Sequence, residues 1–448
     1  MFENLIGQSA SGQLKEDIGA GILAPAMLFS GPPASGKGTA ALELGRIISC
    51  EGAPGIAAWN CPCPACSRHR LLIHPDLLIL GFRPFSAEIA ASAGAFMRDS
   101  KAPSTRILLI RSVRKLLARF NPALWEDDPK AGKIAPMVNT LEEDLDDLDA
   151  AISEEVPSTE DAPSKECGEQ LKKLCGEILK NAYKLESEAM GETIPIGHIR
   201  KAASWSRLAP VGRGKLLIIE NCNRMQEEAR NSLLKLLEEP PGRLTMVLTT
   251  SQPGSLLPTI LSRLRPYRFI ARDVAAEEEV IKRVFREDVK GKKINDYLDS
   301  FLPVSGETLD SLAAFFTASA AYKAAVLCKK LGRPIPEEVV LLGKYTAARA
   351  EAAGLGRPQG EGSTVIAQVL EKAEKFEIRS LFLKFLYCLL EQVSRSRSQE
   401  ASLPSLSYNE VWKECTAWAE SAVATYNLRP ALALEKLFTG LSRGMAEL

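Results

Sequence analysis

Apolar and polar positions follow two rhythms along this chain. The first is a series of short apolar runs bounded by turn residues: "AMLFSG" (26–31), "DLLILG" (76–81), "KLLIIE" (215–220) and "LTMVLTTS" (244–251). Each run is continuous, as expected of strands covered on both faces of a parallel sheet. Residues 13–23, 37–49 and 223–239 carry apolar positions at helical spacing instead. The expected class is therefore α/β with a parallel sheet. After about residue 272 no convincing strand is found. Helical patterns run to the end, broken by "LGRPIP" (331–336), "GLGRPQGEGS" (354–363) and "SRSRSQEASLPS" (394–405).

Residues 85–190 interrupt the first rhythm. "STRILLIRSVRKLLARF" (104–120) reads as a basic amphipathic helix, and 165–189 as another helix. Between 141 and 163 stand Glu142, Glu143, Asp144, Asp146, Asp147, Asp149, Glu154, Glu155, Glu160 and Asp161, with no lysine or arginine among them. Such a stretch is expected to be solvated and mobile. The whole segment reads as an insertion, a helical hairpin with a loose tip.

Composition narrows the picture only a little. The chain has 448 residues, too many for one core, and 46% of them are hydrophobic. Lysine plus arginine equals aspartate plus glutamate at 56 each, so overall charge does not point to nucleic acid. No apolar run approaches the ~18 residues of a membrane span. "MFENLIGQ" lacks a basic region followed by an apolar one. A cytoplasmic protein without a membrane segment is expected.

Ten cysteines in such a chain argue against a disulfide framework. Cys50, Cys61, Cys63 and Cys66 lie close together, and four neighbouring thiolates suit a tetrahedral structural Zn²⁺. His69 and His74 are reserve ligands. Cys167, Cys175, Cys222, Cys328, Cys388 and Cys415 are scattered and read as ordinary side chains.

"FSGPPASGKGTAALELG" (29–45) sits between an expected strand and an expected helix, the setting of a phosphate-binding loop. Gly31, Gly36 and Lys37 meet the pattern G-x-x-x-x-G-K-[ST]. Gly31, Ala34, Ser35, Gly36, Lys37, Gly38 and Thr39 are thus the candidate phosphate contacts, through backbone N–H groups and the Lys37 ammonium. Gly38 stands where a hydroxyl would ligate Mg²⁺. Thr39 lies about 100° further round the helix and does not substitute directly. Whether ATP and Mg²⁺ are held is left open; efficient metal-dependent hydrolysis is not expected.

Several motifs then arrive in one order. "FENLIGQ" precedes the glycine loop, and the cysteine cluster is followed by "HPD" (74–76). After the insertion come "IRKAASWSRLAPVGRGKLLIIENCNRMQEEARNSLLKLLEEPP", then "LLPTILSRLRPYRF", and near the end "NLRPALALEKLF" (427–438). This order resembles the clamp-loader ATPases of bacterial DNA polymerase III, the gamma/tau and delta-prime subunits of the AAA+ superfamily. The resemblance covers residues 1–84 and 194–272 well and the helical remainder loosely.

The resemblance implies an AAA+ domain built from 1–84 and 191–272 with a zinc module at 50–66. It further implies a helical lid at 273–330 and a helical collar for oligomerisation at 331–448, with 85–190 inserted. It implies a hetero-oligomer with gamma/tau and delta subunits, meeting the sliding clamp and primed DNA through the assembly. By the same resemblance Glu220 would serve a metal and Asn221 replaces a water-polarising acid, while "PVSGETLDSLAAFF" lacks a phosphate-sensing arginine. Arg263, in "LSRLRP", matches an arginine finger acting on a neighbour's ATP site, with Leu264 where the family has cysteine. The family's cysteines end C-x₂-C-x₂-C; here Asn60 takes the first of those places and Cys61 falls one residue late. A delta-prime stator with little ATPase activity is the expected role. An active gamma/tau-type motor and a pure scaffold remain as alternatives.

Overall fold

Five strands form one parallel sheet: β1 (Ala26–Ser30), β2 (Leu77–Leu80), β3 (Lys215–Ile219), β4 (Leu244–Thr250) and β5 (Arg265–Arg268), in the order β2-β3-β4-β1-β5. The structure is a computed structural model, which describes every residue except 53–55, 155–164, 192, 303, 358–361, 372–377, 398–405 and 425–427. It divides into two units, Met1–Phe301 and Leu302–Leu448.

The sheet has two buried faces, as its continuous apolar runs require. Met27, Phe29, Leu77, Ile79, Leu216, Ile218 and Val247 fill one core with residues of α1 (Ala10–Gly19) and α2 (Lys37–Ile48). The alternate residues Leu28, Leu78, Leu80, Leu217, Ile219, Met246 and Leu248 fill the other. That second face also receives α9 (Ile196–Arg207) and α10 (Glu227–Glu238). Helix α1 ends at Gly19, earlier than the pattern predicts, and Gly21 at φ +69° turns the chain out of it. Strand β5 carries Pro266 and buries only Tyr267, as suits an edge.

The short α3 (Pro64–Arg70), capped by Cys63 and containing Cys66, brings the last two of the four clustered cysteines close to α2. The insertion comprises α4 (Ser86–Arg98), α5 (Pro103–Leu117), a 3₁₀ turn at Ala118–Phe120, α6 (Pro122–Trp125), α7 (Ala131–Glu154) and α8 (Lys165–Ala189). The hairpin expectation is met by α7 and α8. The expectation of a mobile acidic stretch is not met for 141–154: Leu141, Leu145 and Leu148 recur at helical spacing and are buried in the insertion's own core, while Glu142, Glu143, Asp146 and Asp147 face solvent. Each such leucine contributes roughly 1.5–3 kcal/mol on burial. The acidic positions 155–163 lie outside the described residues, as does the side chain of Cys167.

The short α11 (Pro258–Leu261) leads into β5. Helices α12 (Val274–Phe285) and α13 (Ile294–Asp299) pack their Ile281, Phe285, Ile294 and Tyr297 on Ala91 and Ala95 of α4. The segment expected as one lid, 273–330, is therefore divided at Phe301. Its second half is α14 (Gly306–Lys330), the central helix of the second unit. Around it lie α15 (Glu337–Ala352), α16 (Gly362–Glu371), α17 (Ile378–Arg397), α18 (Leu406–Ala424) and α19 (Pro430–Glu447), packed through Phe316, Phe382, Phe385, Trp412 and Phe438. Contrary to the reading of the sequence, α14 is long and apolar enough to cross a bilayer, but its apolar window is 67% buried inside this unit.

Candidate nucleotide site and metal centre

The loop between β1 and α2 has a phosphate-loop path held by its own neighbours. Gly31 lies against Phe269, where a Cβ would sit 2.2 Å from the carbonyl oxygen. Gly36 caps α2 at φ +93°, with Arg272 Nη2 2.8 Å from where its Cβ would be. Arg272 donates to the carbonyls of Ile6 and Ala34 and so braces the loop from outside. Ala34 is held at φ +55°, and Ser35 is buried with its hydroxyl donating to Pro32 O. Lys37 Nζ donates to Gly31 O at 2.7 Å and Pro32 O at 2.6 Å. Burial lowers its pKa to about 8, against the pull of Glu220. Amine labelling of Lys37 is accordingly expected to follow pH with a midpoint near 8; a midpoint above ~10, the ordinary lysine range, would contradict this enclosure.

The end of β3 explains the two unusual residues. Glu220 is 8% exposed, and a Cβ on Gly38 would lie 2.7 Å from its Oε1. The space a hydroxyl-bearing side chain needs is thus filled by the carboxylate. Arg83 Nε donates to Glu220 Oε2 at 3.1 Å, and Arg119 Nη2 donates to the same oxygen. Burial raises the Glu220 pKa, but Arg119, Arg83 and Lys115 outweigh it and hold the group ionised, below the usual carboxylate range. Asn221 adopts φ +49°, a conformation asparagine tolerates, and its Nδ2 donates to Phe82 O at 2.7 Å. An aspartate there would turn an acceptor toward an acceptor. Thr39 is exposed.

Gly38→Thr is therefore expected to destabilise the chain by ~1–3 kcal/mol through overpacking against Glu220. It should lower the melting temperature without producing ATP turnover. A variant that melts normally and gains turnover would show that the carboxylate yields.

Arg263 follows α11 and is not part of this cluster. Its partners among the described residues are Thr259 O, Ser262 Oγ and Glu238 Oε1, the last at 2.7 Å. The pair is solvent-exposed, with the arginine side chain 36% accessible. Such a contact is worth ~0–1 kcal/mol and is easily exchanged for another.

The four cysteines do converge. Cys50, Cys61, Cys63 and Cys66 bring their Sγ atoms within 4.8 Å of one another, forming a cluster that could hold a metal ion. A zinc tetrahedron with ~2.3 Å arms has edges of about 3.8 Å. Cys50 and Cys61 stand 3.8 Å apart. Cys61 joins despite its late place because Gly52 leaves room; a Cβ on Gly52 would lie 2.9 Å from its Sγ. Burial raises the Cys63 thiol, but N–H donation from Cys66 and Glu51 brings it down to about 6, toward the ligating thiolate. Arg46, paired with Glu43, donates to Cys66 Sγ at 3.4 Å and sets a positive charge beside the sulfurs. The reserve ligands are not among the four that converge. His69 hydrogen-bonds Ser49 Oγ at 3.0 Å and stacks on His74, which accepts from the Asp76 N–H. Asp76 in turn accepts from Val211 N–H and Gly212 N–H, so the "HPD" segment fixes the loop before β3.

Arg83, Arg119 and Arg272 were not singled out in the sequence. Arg119 lies in the insertion, where no motif could flag it.

The sequence profile described as "DNA polymerase III, delta subunit" matches residues 144–273. A DNA polymerase III subunit delta' of Pseudomonas aeruginosa is 37% identical over 82 residues, 18% of this chain and 25% of the relative. That of Bacillus subtilis is 43% identical over 75 residues, 17% of this chain and 22% of the relative. Over these stretches the chain is similar to DNA polymerase III clamp-loader subunits. The DNA polymerase III subunit tau of Salmonella typhimurium is 34% identical over 77 residues, 17% of this chain and 12% of the relative. The chain thus matches a quarter or less of the length of these curated relatives. A solved gamma subunit-related protein of Thermotoga maritima aligns with 61% of this chain and 90% of its own, at 21% identity and a TM-score of 0.23.

Proposed function

We propose that this chain is a delta-prime-type stator of a DNA polymerase III clamp loader, without ATP turnover of its own. The observation that carries this reading is Glu220, pressed against Gly38 and ion-paired with Arg83 and Arg119. A hydroxyl and a carboxylate free to share Mg²⁺ are both missing from that corner, and Asn221 supplies no base to polarise water. The loop keeps its glycines and Lys37, so nucleotide phosphates could still be held by Gly31, Ala34, Ser35, Gly36 and Lys37 without being cleaved.

In this role Arg263 leaves its exposed contact with Glu238 and reaches the ATP of an adjacent motor subunit. Residues 50–66 form a structural zinc module held by Cys50, Cys61, Cys63 and Cys66, and the helices from 331 onward form the collar. The partners are gamma/tau and delta subunits in the cytoplasm, with the sliding clamp and primed DNA met through the assembly. Mixing the purified chain with gamma/tau and delta subunits and following their sizes by native mass spectrometry tests this. A single hetero-oligomer containing one copy of this chain is expected. Failure of the chain to enter any assembly with them would overturn the proposal.

A further inference from the structure

The insertion meets the sheet domain at Glu220. Five charged side chains alternate in a row there, buried at Arg119 and Glu220 and half-buried at Arg83, Glu88 and Lys115. They come from the 3₁₀ turn after α5, the end of β3, the loop after β2, α4 and α5. Arg119 is 5% exposed, and its Nε and Nη1 have no hydrogen-bond partner among the described residues. The guanidinium groups of Arg83 and Arg119 lie 4.2 and 5.2 Å from the Phe85 ring centroid, two like charges brought close only because a carboxylate stands between them. The other cations of α5 are engaged within this unit too. Arg111 and Arg114 donate to the carbonyls of His69, Arg70 and Leu71 at the end of α3, and Arg106 pairs with Asp149 of α7. The basic face of α5 is thus spent on contacts within this unit.

We propose that Arg119 and Arg83 take, in cis, the place a divalent cation has beside the strand-end acid of a working phosphate-loop site, and that Glu220 has become the anchor docking the insertion onto the sheet. This goes beyond the stator role, since it assigns a function to Arg83 and to residues 85–119 of the insertion, which lie before the matched profile, and it rests on this geometry alone. It also makes the insertion part of the sheet domain's own packing. Glu220 is a positioning residue here: without its charge, buried Arg119 would lose its carboxylate, and half-buried Arg83 and Lys115 would share that of Glu88.

Hydrogen exchange on the full-length chain tests the anchor. Glu220→Gln and Arg119→Met are each expected to speed amide exchange across 103–117 by about tenfold or more, with β1 and β4 unchanged. The two act on one contact, so the double variant should exchange within about twofold of the faster single variant. Arg119→Lys keeps the charge and should stay within about threefold of the unaltered chain, which serves if Glu220→Gln does not fold. Singles whose effects multiply in the double variant, or lysine and methionine variants that exchange alike, would overturn the proposal.

Discussion

Arg263→Ala is expected to leave the isolated chain folded and melting normally, yet to lower ATP turnover of the assembled clamp loader by about tenfold or more. Among the described residues its charged partner is Glu238, in an exposed pair of little energetic weight. Losing it should shift the melting temperature by no more than about 4 °C, at ~2–4 °C per kcal/mol for a large domain. The effect on a neighbour is of another order. A guanidinium at a transferring phosphoryl group adds charge where the transition state gathers it, and arginine fingers are worth ~10³–10⁵ in rate. Arg263→Lys should recover little, because an ammonium on a flexible stem lacks the planar donor fork. Steady-state ATPase assays of complexes carrying each variant decide it. Unchanged turnover with both would leave Arg263 a surface residue and favour a scaffold role.

Removing zinc should have the second-largest effect. Elemental analysis of protein prepared without chelator is expected to find about one zinc per chain, since four convergent thiolates make one tetrahedral site. Chelation, or Cys66→Ser, should lower the melting temperature by on the order of 10 °C. That follows from a loss of ~4 kcal/mol, a fraction of the ~10–16 kcal/mol that zinc lends small modules. Cys66 is fully buried against Arg46, which also donates to the carbonyls of Ala57 and Ala58, so metal loss would loosen the end of α2 as well. A metal-free chain with four freely reactive thiols and an unchanged melting temperature would contradict the site.

Much of the sheet was legible because parallel strands are apolar on both faces: the runs at 26–31, 76–81, 215–220 and 244–251 became β1 to β4. Strand β5 was missed because an edge strand of four residues buries only Tyr267 and gives no apolar run. The acidic stretch misled for a different reason. Counting charges hid Leu141, Leu145 and Leu148, whose spacing places them together on the inner face of α7. Similarly, the basic face of α5 reads as a surface feature until its partners are known, and those are backbone carbonyls and carboxylates far away in the chain. The phosphate loop was recognisable from its glycines. That Gly38 is matched to Glu220, and Asn221 to the carbonyl of Phe82, needed three-dimensional contacts across more than a hundred residues.

The central claim is that this corner no longer supports hydrolysis, and ATP turnover by the purified chain alone tests it most directly. The account predicts a rate indistinguishable from that of Lys37→Ala, with or without Mg²⁺ and primed DNA. Turnover comparable to that of a gamma/tau motor subunit, abolished by Lys37→Ala, would contradict it.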